Sequence, residues 1–187
     1  MRPRSPRIPP LSTAALTDEQ AALVGGRDHP QGALNIVRTL VQYPALFKAW
    51  MPFSGHVMFG TSLTPREREI LVLRTGFLCR SAYEVAQHTV IARQVGLSDQ
   101  EIEAVENGGK GKALSDFDRM LIKAADELVG DHCISDKTWA ALSARYSREQ
   151  MMDLVFTVAN YTLVSVALNS FGVQIEADVE KAWKKGI

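Results

Sequence analysis

One pair of side chains in this sequence has both the residue types and the spacing needed for proton transfer. Glu84 and His88 lie four residues apart, so on a helix they face the same side. A carboxylate beside an imidazole raises the pKa of the histidine and orients its ring, and in a pocket such a pair acts as acid and base near neutral pH. On an exposed surface the same pair would be an ion pair worth roughly a few tenths of a kcal/mol. The spacing alone leaves both interpretations open.

Two neighbouring residues extend this candidate site, and each also has a plain structural interpretation. The Tyr83 hydroxyl either donates to a carbonyl or carboxylate oxygen or forms the polar tip of a packed ring. Glu69 either reaches His88 as a second carboxylate or pairs with Arg66 or Arg68 on its own helix. Local pairing is the simpler prediction for Glu69.

The two cysteines, Cys79 and Cys133, lie far apart and neither has a C-x-x-C partner. This pattern argues against a disulfide framework and against a structural zinc site, and it predicts reduced thiols. Cys79 is either a nucleophile or a sulfur packed at a helix junction. Glu84 and His88 would supply at most two metal ligands and no H-E-x-x-H pattern occurs, so we expect no metal and no cofactor.

A helical hairpin is predicted to carry these residues. Thr64, Pro65 and Glu67 form a capping signal that begins a helix running to about Phe77. Periodicity is lost after Gly76, around Leu78 to Arg80, which indicates a bend. A second helix follows over residues 81–95, and Gly96 ends it.

The rest of the chain is also predicted to be helical. Residues 1–30 are rich in proline and read as an N-terminal arm with a short helix near Thr17 to Leu23, and residues 31–187 form the helical domain. Apolar spacing predicts short helices over 33–41 and 44–51. Residues 148–170 are apolar nearly all round, which is typical of a helix buried in a core or an interface. Further helices are predicted to begin after four serines: Ser98, Ser115, Ser135 and Ser147.

Composition excludes several classes of partner. Lys plus Arg number 21 and Asp plus Glu number 21, so there is no net charge to attract nucleic acid or an anionic membrane. No uninterrupted apolar run approaches the roughly 20 residues of a membrane span, and the N-terminus lacks the apolar stretch of a secretory signal. We therefore expect a cytoplasmic protein that acts on a small molecule.

Three stretches together resemble the carboxymuconolactone decarboxylase and alkylhydroperoxidase D-like family: Thr64 to Arg74, Cys79 to His88, and Gly96 to Ile102. The likeness extends through the regions 126–139 and 160–173. It implies an all-α bundle with a central helical hairpin, assembled as a dimer, trimer or hexamer. It also implies one of two chemistries.

In the alkylhydroperoxidase D-like branch a C-x-x-C motif precedes the histidine, and a relay glutamate lies nineteen residues before it. Here Glu69 occupies the relay place, but Ser81 and Glu84 stand where the cysteines would be. In the lactone decarboxylase branch a glutamate lies four residues before the histidine and no cysteine is needed. Glu84 and His88 match that arrangement, so the resemblance favours the decarboxylase branch.

The resulting hypothesis is a cofactor-independent lyase acting on a small carboxylated lactone or a related intermediate of aromatic catabolism. His88 would be the general acid and base, Glu84 its orienting partner, and Tyr83 or Arg80 the anchor for an anionic oxygen. One alternative is a thiol antioxidant with peroxiredoxin activity that uses Cys79 with Glu69 and His88 as a relay. The other is a non-catalytic helical oligomer that binds a small ligand.

Overall fold

The computed structural model describes residues 3–184, and this part of the chain is all-α. It contains ten α-helices, joined by short turns and loops. In chain order they are α1 (Asp18–Leu23), α2 (Asn35–Leu40), α3 (Pro44–Gly55), α4 (Pro65–Leu78), α5 (Ala82–Gln94), α6 (Asp99–Glu106), α7 (Asp116–Gly130), α8 (Asp136–Ser143), α9 (Arg148–Phe171) and α10 (Ala177–Lys184). The predicted all-α fold is confirmed.

Helix α4 is the centre of the bundle. It packs against α5, α7 and α9, and four consecutive residues of it, 70–73, are fully buried. A helix surrounded in this way has no face turned mainly to solvent, so its position depends on packing, on its buried polar contacts and on its caps. The predicted capping box is present: the Thr64 hydroxyl accepts from the Glu67 N–H at 3.3 Å, and Glu67 Oε2 accepts from the Thr64 N–H at 3.1 Å.

The other predicted helix starts are confirmed in the same way. Each of the four serine side chains accepts a backbone N–H from the residue three positions later, at the starts of α6, α7, α8 and α9. These contacts satisfy donors that the first helical turn would otherwise leave unpaired. Capping residues in this sequence therefore report helix boundaries well.

The bend between α4 and α5 lies at residues 79–81, where Arg80 adopts φ 50°. Gly76 remains helical, contrary to its predicted part in the break, and it serves close packing instead. A Cβ at Gly76 would lie 3.3 Å from Cγ2 of Val85. Because this contact is closer than ordinary packing allows, glycine lets the two helices of the hairpin approach each other.

Two helices before the hairpin differ from the predicted ranges. Helix α2 is shorter than residues 33–41, whereas α3 continues past Pro52 and passes into a π-helical turn at His56–Gly60. Proline removes one backbone donor, but the buried Phe47 and Val57 on either side hold this segment against the core. The sequence pattern also gives no sign of α10, which lies against α5.

The described part of the N-terminal arm lies on the domain. Leu16, Ala21 and Val24 are buried in one cluster with Val41 and Phe47. The predicted short helix is confirmed as α1, with a capping box between Thr17 and Gln20. The arm therefore forms part of the wall around α3.

Helix α9 combines a buried face with an exposed apolar face. It is the one helix in residues 3–184 that has the length and apolar composition to cross a membrane, and half of that window is buried in the fold. A helix in a protein core meets the same criterion. The predicted homo-oligomer stays a prediction; the large apolar side chains exposed on α9 are Met152, Phe156, Leu163 and Val166.

Candidate active site

The hairpin places His88 between two glutamates inside the protein. The side chain of Glu69, from the middle of α4, is fully buried, and Glu84 and His88 on α5 are 4% and 6% exposed. His88 Nδ1 lies 2.7 Å from Glu69 Oε2, and His88 Nε2 lies 3.4 Å from Glu84 Oε2. The predicted meeting of Glu84 with His88 is present, and it occurs in the interior, away from the surface.

The two contacts of the imidazole have different strengths. The distance to Glu69 is that of a short charge-assisted hydrogen bond, whereas the distance to Glu84 exceeds the usual hydrogen-bond range. Glu69 is therefore the residue that orients the ring, which corrects the predicted part of Glu84 as the orienting partner. The physical reason is the way α4 and α5 pack side by side, which places Glu69 of α4 opposite Nδ1 of His88 on α5.

Arg68 fixes Glu69 from behind. Its Nε donates to Glu69 Oε1 at 2.9 Å, and its Nη1 donates to the carbonyl oxygen of Met58 in the π-helical turn at 2.8 Å. The predicted local pair of Glu69 with Arg68 thus coexists with the pair to His88. Each oxygen of Glu69 has one cationic or imidazole partner, and this leaves the carboxylate little freedom to turn.

Burial and neighbouring charges shift the pKa values of Glu69, His88 and Glu84. Burial alone would raise the pKa of Glu69, but the charges of His88 and Arg68 outweigh it and the pKa is lowered. Burial alone would lower the pKa of His88, but the Glu69 and Glu84 carboxylates raise it. Burial raises the pKa of Glu84, and the charge of Glu69 adds to the rise against the opposing effect of His88.

The lowered pKa of Glu69 and its 2.7 Å contact with His88 Nδ1 assign the hydrogen of that bond. An ionised Glu69 can only accept, so His88 Nδ1 carries the hydrogen of that bond. The raised pKa values of Glu84 and His88 each favour the protonated form, and Glu84 Oε2 lies 3.4 Å from His88 Nε2. One member of the pair can therefore donate a proton while the other accepts one.

Both members of this pair line a cavity of about 570 Å³. That volume falls within the range of pockets that hold small-molecule ligands. Most of the wall is apolar, and its large apolar side chains come from the arm, α2 and the residue before it, α3, the π-helical turn, α5 and α9: Leu23, Val24, Leu34, Ile36, Val37, Phe47, Trp50, Met51, Met58, Phe59, Ile91, Tyr161 and Val164.

Helix α9 completes the site. The Tyr161 ring stands edge-on to the His88 ring, with centroids 4.9 Å apart and planes at 88°. The Tyr161 hydroxyl lies 3.5 Å from Sδ of Met58. Next to it, Asn160 Oδ1 accepts a hydrogen bond from Trp50 Nε1 at 3.1 Å. The sequence pattern does not single out Asn160 or Tyr161 as site residues; the signal available was an adjacent polar pair in the mainly apolar part of α9.

The other candidate residues are placed differently. Tyr83 lines the cavity, but its hydroxyl donates to Glu176 Oε1 at 2.7 Å, so it is already engaged and does not match the predicted anchor. Burial raises the pKa of Tyr83, and the charge of Glu176 adds to the rise.

Arg80 lines a separate pocket of about 240 Å³, which corrects its predicted place as a substrate anchor. Its turn conformation at the end of α4 directs it there.

Cys79 is half-buried at the end of α4, and its carbonyl oxygen accepts from Asn169 Nδ2 at 3.1 Å. It is not among the residues that line the His88 cavity. Cys133, the other cysteine, is exposed. Within residues 3–184, no group of three or more His, Cys, Asp or Glu side chains has the arrangement of a metal site.

Residues 44–109 match the model of the carboxymuconolactone decarboxylase family. This range contains α4, the bend, α5 and α6, and with them Glu69, Glu84 and His88. A comparison with curated proteins found no significant match.

The fold agrees with solved structures that cover 73% to 98% of this chain. An uncharacterised peroxidase-related protein with an alkylhydroperoxidase core, from Ralstonia eutropha JMP134, is 21% identical, with 93% of this chain and 94% of that chain covered and a TM-score of 0.80. A putative antioxidant defence protein from Agrobacterium tumefaciens is 21% identical, with 73% and 94% covered and a TM-score of 0.65. A debrominase in complex with 2,3,4-tribromopyrrole is 12% identical, with 98% and 99% covered and a TM-score of 0.77. The predicted family resemblance and helical fold are confirmed.

Proposed function

We propose that this protein, whose residues 44–109 match the carboxymuconolactone decarboxylase family, is a cofactor-independent acid–base enzyme that moves protons at the carbon next to a carbonyl group. The supporting observation is that the two ring nitrogens of His88 have contacts of different length. Nδ1 lies 2.7 Å from Glu69, whereas Nε2 lies 3.4 Å from Glu84, and His88 and Glu84 both line an apolar cavity. A substrate can enter between loosely paired groups more easily than between tightly bonded ones.

The pair supplies both halves of the reaction. The protonated member donates to the carbonyl oxygen, and the other takes a proton from the adjacent carbon, so the electrons of the C–H bond form the enol double bond. The reverse transfer restores the pair. Decarboxylation of a small lactone uses the same groups: the pair protonates the carbonyl oxygen, the electrons of the C–CO₂ bond form the enol double bond, and CO₂ leaves. The enol O–H then gives its proton back to the pair, the pair protonates the carbon, and water replaces the one proton consumed.

The low polarity of the cavity supports this chemistry. In a water-excluded site, fixed charges act on a developing enolate oxygen more strongly than they do in water. Glu69 and Arg68 lie behind the imidazole and outside the cavity wall, so they hold the ring without competing for the substrate. In this proposal Glu69 is a positioning residue, and His88 and Glu84 are the catalytic residues.

Exchange of carbon-bound hydrogen tests the proposal without knowledge of the natural substrate. β-Tetralone is an uncharged ketone with acidic hydrogens beside its carbonyl, and their loss in D₂O is followed by proton NMR. We expect the protein to accelerate this exchange well beyond free imidazole at the same concentration, and Glu84→Gln to lose most of the acceleration. Exchange no faster than with free imidazole would contradict the proposal.

The thiol alternative gives a separate prediction. Because Cys79 lies outside the cavity wall, we expect Cys79→Ser to change the exchange rate less than twofold. Cys133→Ser is the matched control for loss of a thiol elsewhere. A large loss of activity in Cys79→Ser, with Cys133→Ser unaffected, would favour the thiol mechanism over acid–base chemistry.

A further inference from the structure

The charges around the cavity restrict what it can bind. Its described wall contains no arginine or lysine, and its ionisable residues are Glu84, His88, His29, Tyr83 and Tyr161. Arg68, the nearest arginine to the acid–base cluster, has donors directed to Glu69 and to the carbonyl oxygen of Met58. A ligand with two carboxylates would therefore bury at least one of them with no fixed cation, at a high desolvation cost.

The wall offers the ligand one buried amide donor whose orientation is fixed by a neighbouring residue. The indole N–H of Trp50 can only donate, so the Asn160 atom that meets it must be Oδ1, and this assigns the orientation of the amide. Asn160 is 2% exposed and lines the cavity, and Nδ2 is the donor that it has left on that side. A buried amide donor in an apolar wall recognises an uncharged acceptor such as a carbonyl oxygen.

We propose that this cavity takes a mainly apolar carbonyl compound carrying at most one negative charge, and that Asn160 Nδ2 donates a hydrogen bond to its carbonyl oxygen. This substrate class rests on the proposed function for its choice of site. It limits the carboxylated lactone of the sequence-based hypothesis to at most one carboxylate, and it assigns to Asn160 the anchoring part predicted for Tyr83 or Arg80.

Binding of matched naphthalene compounds tests the charge limit. The probes are β-naphthamide, β-naphthoate and naphthalene-2,6-dicarboxylate, which share one ring system and carry no, one and two negative charges. Quenching of tryptophan fluorescence reports binding because Trp50 lines the cavity. We expect the dicarboxylate to bind at least a hundredfold more weakly than the amide. Equal affinities for these two would overturn the proposal.

Glu84→Gln shows whether the probes bind in this cavity. Removing a buried carboxylate should strengthen β-naphthoate binding several-fold while leaving β-naphthamide nearly unchanged. A smaller, entirely apolar pocket lies beside the cavity and contains Leu163, Leu168 and Phe171. A ligand bound there would not respond to position 84, and that result would also count against the proposal.

The Asn160 contact is tested by a ketone and its hydrocarbon analogue, β-acetonaphthone and β-ethylnaphthalene. Asn160→Asp keeps an acceptor for Trp50 and removes the Nδ2 donor, and we expect the preference for the ketone to fall about tenfold. Asn160→Leu should remove the preference too, without adding a charge. An unchanged preference in both folded variants would overturn the assignment of Asn160.

The two proposals fail in different ways. If the charge series behaves as expected but β-tetralone does not exchange, the substrate class stands and the acid–base function fails. If β-tetralone exchanges but the dicarboxylate binds as well as the amide, the function stands and the substrate class fails.

Discussion

Replacing Glu69 by glutamine is expected to destabilise the protein by about 3–5 kcal/mol, because it leaves Arg68 and His88 buried without their carboxylate. Chemical denaturation at neutral pH measures this free energy of unfolding directly. Glu69 is fully buried, and each of its oxygens has a partner, so solvent cannot take over either contact. Of the two glutamates in the cluster, Glu69 is the one with two charged partners.

The matched control is the same substitution at Glu84, where we expect the opposite sign. Glu84 is almost as deeply buried, yet its one charged contact, to His88, is loose at 3.4 Å. A carboxylate that is buried but weakly paired costs stability, so Glu84→Gln should stabilise the protein by roughly 1 kcal/mol, as is common at active sites. Equal destabilisation by both variants would contradict this account of the site.

The pH dependence distinguishes the two glutamates further. The lowered pKa of Glu69 contributes stability above the ordinary carboxyl pKa, and that contribution is lost as the pH falls through its folded value. The raised pKa of Glu84 acts in the other direction: its ionisation costs stability increasingly as the pH rises above the ordinary range. In acid, the free energy of unfolding of both variants should therefore approach that of the wild-type protein. Glu69→Gln should approach it from lower stability and Glu84→Gln from higher stability.

The helix boundaries could be predicted from sequence because local contacts decide them. A serine or threonine cap and the residue three positions later contact each other whatever surrounds the helix, and the structure contains all of those predicted. The pairing of Glu84 with His88 is local in the same sense. Such contacts depend on helix geometry alone.

The contacts of Glu69, Arg80 and Asn160 depend on features that a single sequence does not display. Glu69 meets His88 only because α4 and α5 pack in one register, through the close approach at Gly76. Arg80 lies outside the cavity, in the bend where its backbone adopts φ 50°. Asn160 lines the cavity because of the rotation of α9 about its own axis. Apolar residues occur on most sides of this helix, so its sequence does not indicate which face is buried.

His88→Asn is expected to lower the β-tetralone exchange rate roughly 100- to 10,000-fold, the usual contribution of a general acid or base. The asparagine amide can take the place of Nδ1 and donate to Glu69, which preserves the pairing behind the ring. It has no counterpart of Nε2, the nitrogen that faces Glu84 at the cavity. The variant therefore separates proton transfer from stability better than alanine does.

Added imidazole makes this prediction specific to a proton carrier. The shortened side chain leaves space beside Glu84 in a cavity of about 570 Å³, so free imidazole should restore part of the exchange rate in a saturable manner. The free energy of unfolding should stay closer to the wild-type value than that of Glu69→Gln does, because the buried Glu69 carboxylate keeps both of its partners. If His88→Asn exchanged β-tetralone at the wild-type rate, the imidazole would be a structural residue and the acid–base mechanism would be wrong.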